Sequence, residues 1–148
     1  ASMALPAEAS GDARIIGWVG DVLPYQITAL FASGAVVRQR PADVKAFCVG
    51  YQKGIADYRA AFLRFDAQHK PIYDAATDAA IADITRYVFT GDPKAEQKIT
   101  AGIGWYDEGG ALDVADVRRQ LTWYEAQGMV KGKVDADAII DTGFLPTR

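Results

Sequence analysis

Residues 40–71 of the chain read RPADVKAFCVGYQKGIADYRAAFLRFDAQHKP, a stretch bounded by two prolines. Between the prolines, apolar residues recur at steps of three and four, which places them on one face of an α-helix. These residues are Val44, Phe47, Cys48, Tyr51, Ile55, Tyr58, Phe62 and Phe65. Pro41 suits a first helical turn, and Pro71 disfavours helical geometry at Lys70. The stretch therefore predicts one helix of about 40 Å, whose apolar face needs a large partner surface from the chain or from another molecule.

The composition is that of an ordinary globular domain. Of the 148 residues, 50% are hydrophobic and 24% are charged, and this length favours a single domain. The formal net charge is −3, with no run of basic residues, which argues against a nucleic-acid partner. Residues 1–12 are interpreted as a leader or loop, and residues 13–148 as one folded unit.

Further elements follow from local patterns. Residues 14–19 are apolar and bounded by glycines, which predicts a buried strand. Residues 26–33 are predicted to form a second strand, with a short helix as the alternative. Aspartate caps, first-turn prolines and terminal glycines predict four further helices, over residues 75–89, 93–99, 114–127 and 136–140. The chain is thus expected to be rich in helix, with a small two-stranded element.

The sequence offers little catalytic chemistry. It holds one histidine, His69, which is predicted to interact with the end of the long helix, and one cysteine, Cys48, predicted to lie in the core. No phosphate loop, nucleophile elbow or zinc-ligand spacing is present. We therefore expect no enzymatic activity, no metal and no cofactor.

Residues 17–26 are the best candidate for contact with a ligand. They leave the carboxyl end of the predicted strand, where open α/β sheets place their ligands. Trp18 is expected to stack on a small polar molecule, Asp21 and Gln26 to make polar contacts, and Tyr25 to close the pocket. The alternative is a structural corner with Trp18 in the core.

Two blocks of sequence together resemble a known family. The first comprises IIGWVGDVLP (15–24), RPADVKAF (40–47) and YQKG (51–54). The second comprises GALD (110–113), RQLTWYEAQG (119–128) and the ending over residues 134–145. Both are similar to the C-terminal part of substrate-binding proteins of ABC importers, in the group that serves nitrate, sulfonates, taurine, bicarbonate and thiamine-pyrimidine precursors.

The resemblance implies an α/β fold of the type II periplasmic-binding-protein kind, with two lobes and a solute in the cleft between them. It implies a periplasmic or extracytoplasmic location, and an ABC permease as partner of the full-length protein. The chain would represent the C-terminal portion without the N-terminal lobe, so that its solute binding is expected to be impaired. Exposed apolar surface would then make it a homo-oligomer.

Two other readings remain open. The chain is alternatively a helix-rich module for protein interaction or dimerisation, without a solute site. A third interpretation is a pyrimidine-precursor synthase related to the same family. Such enzymes use a histidine and several cysteines to bind iron, whereas this chain has one residue of each type. The identity of the solute does not follow from the sequence.

Overall fold

The computed structural model describes residues 4–23 and 25–148, and over these residues the fold is built from helices. The helices in chain order are α1 (Ala4–Ala9), α2 (Val19–Val22), α3 (Gly34–Gln39), α4 (Pro41–Phe62), α5 (Ala75–Thr85), α6 (Ala95–Ala101), α7 (Val114–Ala126) and α8 (Ala136–Ile139). A 3₁₀ turn, Glu108–Gly110, precedes α7.

The predicted α/β fold with a two-stranded element is wrong. Residues 4–23 and 25–148 are 53% helical, with about 3% strand and no sheet. The strand residues form two isolated bridges, Phe65 with Pro71 and Leu112 with Thr147. Residues 13–18 are irregular and lead into α2, and residues 25–33 are irregular as well. The sequence pattern at both segments is apolar, but a strand also needs a paired neighbour, and neither segment has one among the described residues.

Part of the segment interpreted as a leader or loop is helical, since α1 covers residues 4–9. Residues 1–3 of that segment lie outside the described residues. The same is true of Pro24, within the candidate ligand segment 17–26.

Helix α4 begins at Pro41 as predicted but ends at Phe62, well before Pro71. The reason is a tight turn held by Asp66, whose Oδ1 accepts hydrogen bonds at 2.9 Å from the backbone N–H groups of Gln68 and Lys70. The backbone N–H of Asp66 donates to the carbonyl of Lys70 at 3.0 Å, which closes the turn. Aspartate competes in this way with helical hydrogen bonding. His69 therefore lies in the turn, with a φ of 59°, and not at the helix end.

The capping predictions are confirmed for α7 and α8. The predicted bounds of two other helices are wrong, since α5 ends at Thr85 and not at residue 89, and α6 begins at Ala95, after Lys94, and not at residue 93. Asp113 accepts from the N–H of Asp116 at the start of α7, and Asp135 accepts from the N–H of Asp137 at the start of α8. Gly128 follows α7 with a φ of 66°, as expected of a glycine that ends a helix. Local side-chain chemistry thus sets these boundaries.

The chain divides into two compact units, of which the described residues of the first are 4–23 and 56–106. Its core contains Ala61, Phe62 and Ile99, with Tyr58, Ala80, Ile81, Ile84 and Ile103 packed against them. Thr77, buried in α5, donates its hydroxyl to the carbonyl of Ala61 at 2.8 Å. Arg64 forms two hydrogen bonds with Asp74, at 2.7 and 2.8 Å, just before α5 begins. The last turn of α4 is thereby fixed to α5.

The second unit contains residues 25–55 and 107–148. Cys48, as predicted, and Ile55 are buried on the α4 face. Gly110 packs against this face so closely that an added Cβ would lie 2.8 Å from Ile55 Cδ1 and from Tyr51 Cε1. Its φ of 72° is also unfavourable for other residues. The 3₁₀ turn can therefore approach α4 only because a glycine stands at position 110.

The apolar face of α4 is exposed at Phe47, near the start of the helix, and buried at Ile55 and at Phe62, its last residue. Phe62 is 1% exposed, whereas Phe47 is 61% exposed. No helix within the described residues is long and apolar enough to cross a membrane.

Candidate functional site

A polar cluster in the second unit joins the irregular segment 25–33 to helix α7. Its centre is Asp116, whose side chain is 2% exposed although it carries a carboxylate. Oδ2 of Asp116 accepts from the backbone N–H of Gln26 at 2.6 Å and from Nε2 of Gln120 at 2.8 Å. Oδ1 forms an ion pair with Arg119. The buried carboxylate is therefore fully supplied with donors, as a buried charge requires.

These contacts favour the ionised form of Asp116. The Gln26 N–H lowers the pKa of the Asp116 carboxyl most, and the Gln120 amide and the Arg119 guanidinium lower it further against the opposing effect of desolvation. The Asp116 carboxylate thus stays ionised at neutral pH, and the Arg119 guanidinium compensates its charge.

Gln26 forms hydrogen bonds with other residues of the second unit through both its side chain and its backbone. Its Oε1 accepts from the N–H of Asp113 at 3.1 Å, its Nε2 donates to the carbonyl of Thr28 at 2.5 Å, and its own carbonyl accepts from Nε2 of Gln120 at 2.9 Å. Gln26 was predicted to make polar contacts with a solute. In the structure, both atoms of its side-chain amide form hydrogen bonds within the second unit, and contact with a solute stays a prediction.

Tyr25 brings a hydroxyl to the edge of the cluster. Its Oη lies 3.2 Å from Oη of Tyr124, and the side chain of Tyr25 is partly exposed. The hydrogen bond to Tyr124 is the largest cause of a raised pKa for Tyr25, followed by desolvation. Trp123 packs edge-on against Tyr124, with ring centroids 5.3 Å apart. The hydroxyl groups of Tyr25 and Tyr124 thus form a pair, and the indole of the neighbouring Trp123 is exposed.

Trp18 and Asp21, the other two predicted ligand residues, belong to the first unit. The backbone N–H of Trp18 donates to Oδ2 of Asp21 at 3.3 Å, across the single turn of α2. Asp21 thus supports the start of this turn, and the indole of Trp18 is partly exposed rather than buried in a core. The structure brings Trp18 and Asp21 together, and separately brings Tyr25 and Gln26 together with α7.

Sequence reasoning missed Asp116, Gln120 and Tyr124. Their spacing of four residues puts all three on one face of α7, and this periodicity was the available signal. The inward face of α7 was interpreted as a packing surface instead. A buried aspartate surrounded by apolar positions is unusual enough to mark a polar cluster.

Other groups in the described residues offer less chemistry. No set of three histidine, cysteine, aspartate or glutamate residues within residues 4–23 and 25–148 could hold a metal ion. The first unit has an open groove lined by Leu5, Glu96, Gln97, Thr100 and Ala101, and none of the four predicted ligand residues lines it.

Comparisons with protein-family models, with curated proteins and with solved structures gave no match to this chain.

Proposed function

We propose that this chain belongs to a solute-binding protein that delivers a small polar molecule to an ABC permease. The observation that carries the proposal is that parts of the two blocks of family-like sequence meet in the second unit. Gln26, which lies between two parts of the first block, is bonded to Asp113 and Gln120 of the second block. Tyr51 of the first block packs against Gly110 of the second. The proposal does not include the family's α/β fold, which the helical structure contradicts.

The exposed edge of the polar cluster is the proposed contact surface. The hydroxyl of Tyr25 stays protonated at neutral pH, since its hydrogen bond to Tyr124 and desolvation raise its pKa above an ordinary value that already lies well above neutrality. When one hydroxyl donates to the other, one O–H group and several lone pairs remain for a solute. The indole of Trp123 adds an apolar wall beside them. A solute with one oxygen acceptor and an apolar or planar portion fits this surface.

The charged groups of the cluster favour some classes of solute over others. Asp116 is ionised next to the hydroxyl pair, and its negative charge contributes to the raised pKa of Tyr25. Because Arg119 pairs with this carboxylate, the cluster offers a multivalent anion no uncompensated positive charge. A neutral amide, an aminopyrimidine or a zwitterion such as taurine fits better. The proposed location is periplasmic or extracytoplasmic, where a permease can receive the solute.

A thermal-shift screen with taurine, nitrate, bicarbonate, a simple amide and an aminopyrimidine tests the proposal, because a ligand that binds the folded state raises its melting temperature. Each compound that raises it is then titrated by calorimetry. Tyr25→Phe and Tyr124→Phe are each expected to weaken binding about fivefold to tenfold, corresponding to one hydrogen bond of about 1 kcal/mol.

The matched control is Tyr87→Phe, because Tyr87 is 85% exposed in the first unit. It should bind like the parent chain. No shift with any compound, or equal weakening in all three variants, would contradict the proposed function.

A second candidate function is a helix-rich module for dimerisation or protein interaction. The observation that favours it is the number of large apolar side chains left exposed in each unit, including Tyr87 and Trp105 in the first and Phe31 and Phe47 in the second. Surfaces of this kind mark interaction sites. Sedimentation from about 1 to 100 μM tests it. A concentration-dependent rise in mass supports association, and a monomer throughout contradicts it.

A further inference from the structure

Residues 27–32 of the second unit, ITALFA, form an exposed apolar segment without regular structure. Ile27 is 82% exposed and Phe31 is 92% exposed. The nearest charged residue on the C-terminal side is Arg38, so that the chain carries no charge from Gln26 to Val37. We name residues 27–32 the pairing segment.

Apart from the carbonyl of Thr28, which accepts a hydrogen bond from Nε2 of Gln26, the backbone of the pairing segment is open to a partner. Among the described residues, its N–H groups donate no hydrogen bond. Ile, Thr and Phe favour strands, and the segment contains neither glycine nor proline. Short uncharged sequences of this kind pair readily with another strand when their edge is exposed.

Both ends of the pairing segment are held in place. On one side Gln26 is bonded to Asp116 at 2.6 Å, and on the other Ser33 caps α3 by accepting from the N–H of Val36 at 3.3 Å. Two fixed ends reduce the conformational entropy lost when the segment between them pairs. The pairing segment therefore loses less conformational entropy on pairing than a segment with free ends would.

We infer that the pairing segment forms an intermolecular β-ladder with the same segment of a second copy of this chain. Identical uncharged segments meet without the repulsion that a net charge of −3 would cause elsewhere on the surface. In a strand, Ile27, Ala29 and Phe31 share one face, and an antiparallel pair centred on Ala29 places Ile27 of each copy opposite Phe31 of the other on a common apolar face. An antiparallel pair is also closed by a two-fold axis, which ends the assembly at a dimer.

This inference rests on the second candidate function, to which it gives a surface and a pairing mode. It is independent of solute binding at Tyr25 and Tyr124. The test compares the parent chain with Phe31→Lys and with Ile139→Lys, a control at a 64% exposed position in α8 of the same unit. A lysine at position 31 places a charge opposite the apolar Ile27 of the other copy, on the apolar face of the ladder, whereas one at position 139 lies outside the pairing segment.

Sedimentation velocity from about 1 to 100 μM should show a dimer for the parent chain and for Ile139→Lys, and at least a tenfold weaker dimer for Phe31→Lys. Hydrogen exchange adds a site-specific readout: the amides of residues 27–32 should exchange at least tenfold more slowly at the high concentration than at the low one. A dimer that both lysine variants weaken equally, or one without this protection, would overturn the inference and leave dimerisation itself intact. A parent chain that stays monomeric would overturn both.

Discussion

The backbone N–H of Gln26 donates to Oδ2 of Asp116 at 2.6 Å, although the two residues are 90 positions apart in the chain. This bond connects an irregular segment to the buried face of α7. It places the neighbouring Tyr25 hydroxyl 3.2 Å from that of Tyr124. The geometry of the proposed contact surface therefore depends on a carboxylate that no solute needs to touch.

Replacement of Asp116 by alanine should destabilise the second unit. The Gln26 N–H and the Gln120 amide would lose a charged acceptor in a buried place, and hydrogen bonds of this kind contribute about 1.5–3 kcal/mol each. We expect the free energy of unfolding in urea to fall by roughly 2–4 kcal/mol. Asp43→Ala, which removes an exposed ion pair with Arg40, is the control and should change it by less than about 1 kcal/mol. Equal losses in the two variants would show that Asp116 does not organise this unit.

Two glycine substitutions should have opposite effects. Gly110→Ala forces a Cβ to 2.8 Å from Ile55 and Tyr51 at a positive φ, so the free energy of unfolding should fall by more than about 1 kcal/mol. Gly50→Ala adds a methyl group with no atom within 4 Å in the middle of α4, and should raise it by about 0.5–1 kcal/mol. Chemical denaturation of both variants tests the pair. A destabilising Gly50→Ala would mean that another surface approaches α4 there.

The ion pair between Arg64 and Asp74 should make stability depend on acid pH. The guanidinium of Arg64, together with the N–H of Ala76, lowers the pKa of Asp74 to about 2. Since the carboxyl of an unfolded chain titrates near pH 3.9, the stabilisation is present in full above about pH 4 and is lost as the pH falls through 2. Asp74→Asn retains a capping oxygen but not the charge. Its melting temperature should lie below that of the parent at pH 6, and the gap should close towards pH 2.

Asp83→Asn is the control for this titration, because Asp83 forms only an exposed pair with Arg86 at 3.2 Å. Its melting temperature should follow the parent curve over the whole pH range. A gap for Asp74→Asn that persists at pH 2 would refute the role of the charge.

Two phenylalanines of the α4 face should differ strongly in their contribution. Phe62, at 1% exposed, lies in the core of the first unit, and Phe62→Ala should cost about 3–5 kcal/mol. Phe47→Ala, at an exposed position of the same helix, should cost less than about 1 kcal/mol. Helical content by circular dichroism and urea unfolding test the difference. Similar losses would mean that the exposed end of α4 is covered in solution.

The elements that the sequence predicted best are those set by neighbouring residues. Asp113 and Asp135 cap their helices as expected, and Pro41 starts α4. The end of α4 was missed because an aspartate, Asp66, rather than Pro71, closes the turn. At these helix starts, the hydrogen bonds of neighbouring residues were enough for a correct prediction. At the end of α4, a competing side chain changed the boundary.

The strands were predicted wrongly for a different reason. Residues 14–19 and 26–33 have strand-like composition, but strand formation depends on a partner that composition cannot report. The polar cluster was only half predicted for the same kind of reason. Tyr25 and Gln26 were chosen from their position after a glycine-rich corner, whereas Asp116 and Gln120 reach them from 90 or more residues away.

The central claim is that a small polar solute binds at the hydroxyl edge of the Asp116 cluster. It is tested most directly by a two-dimensional ¹H–¹⁵N NMR titration with taurine and with an aminopyrimidine. We predict that the Gln120 side-chain amide and the Tyr25 and Tyr124 backbone amides shift with one common saturation curve, while the Tyr87 amide does not move. Unchanged signals at Tyr25, Gln120 and Tyr124, or shifts confined to the first unit, would contradict the claim.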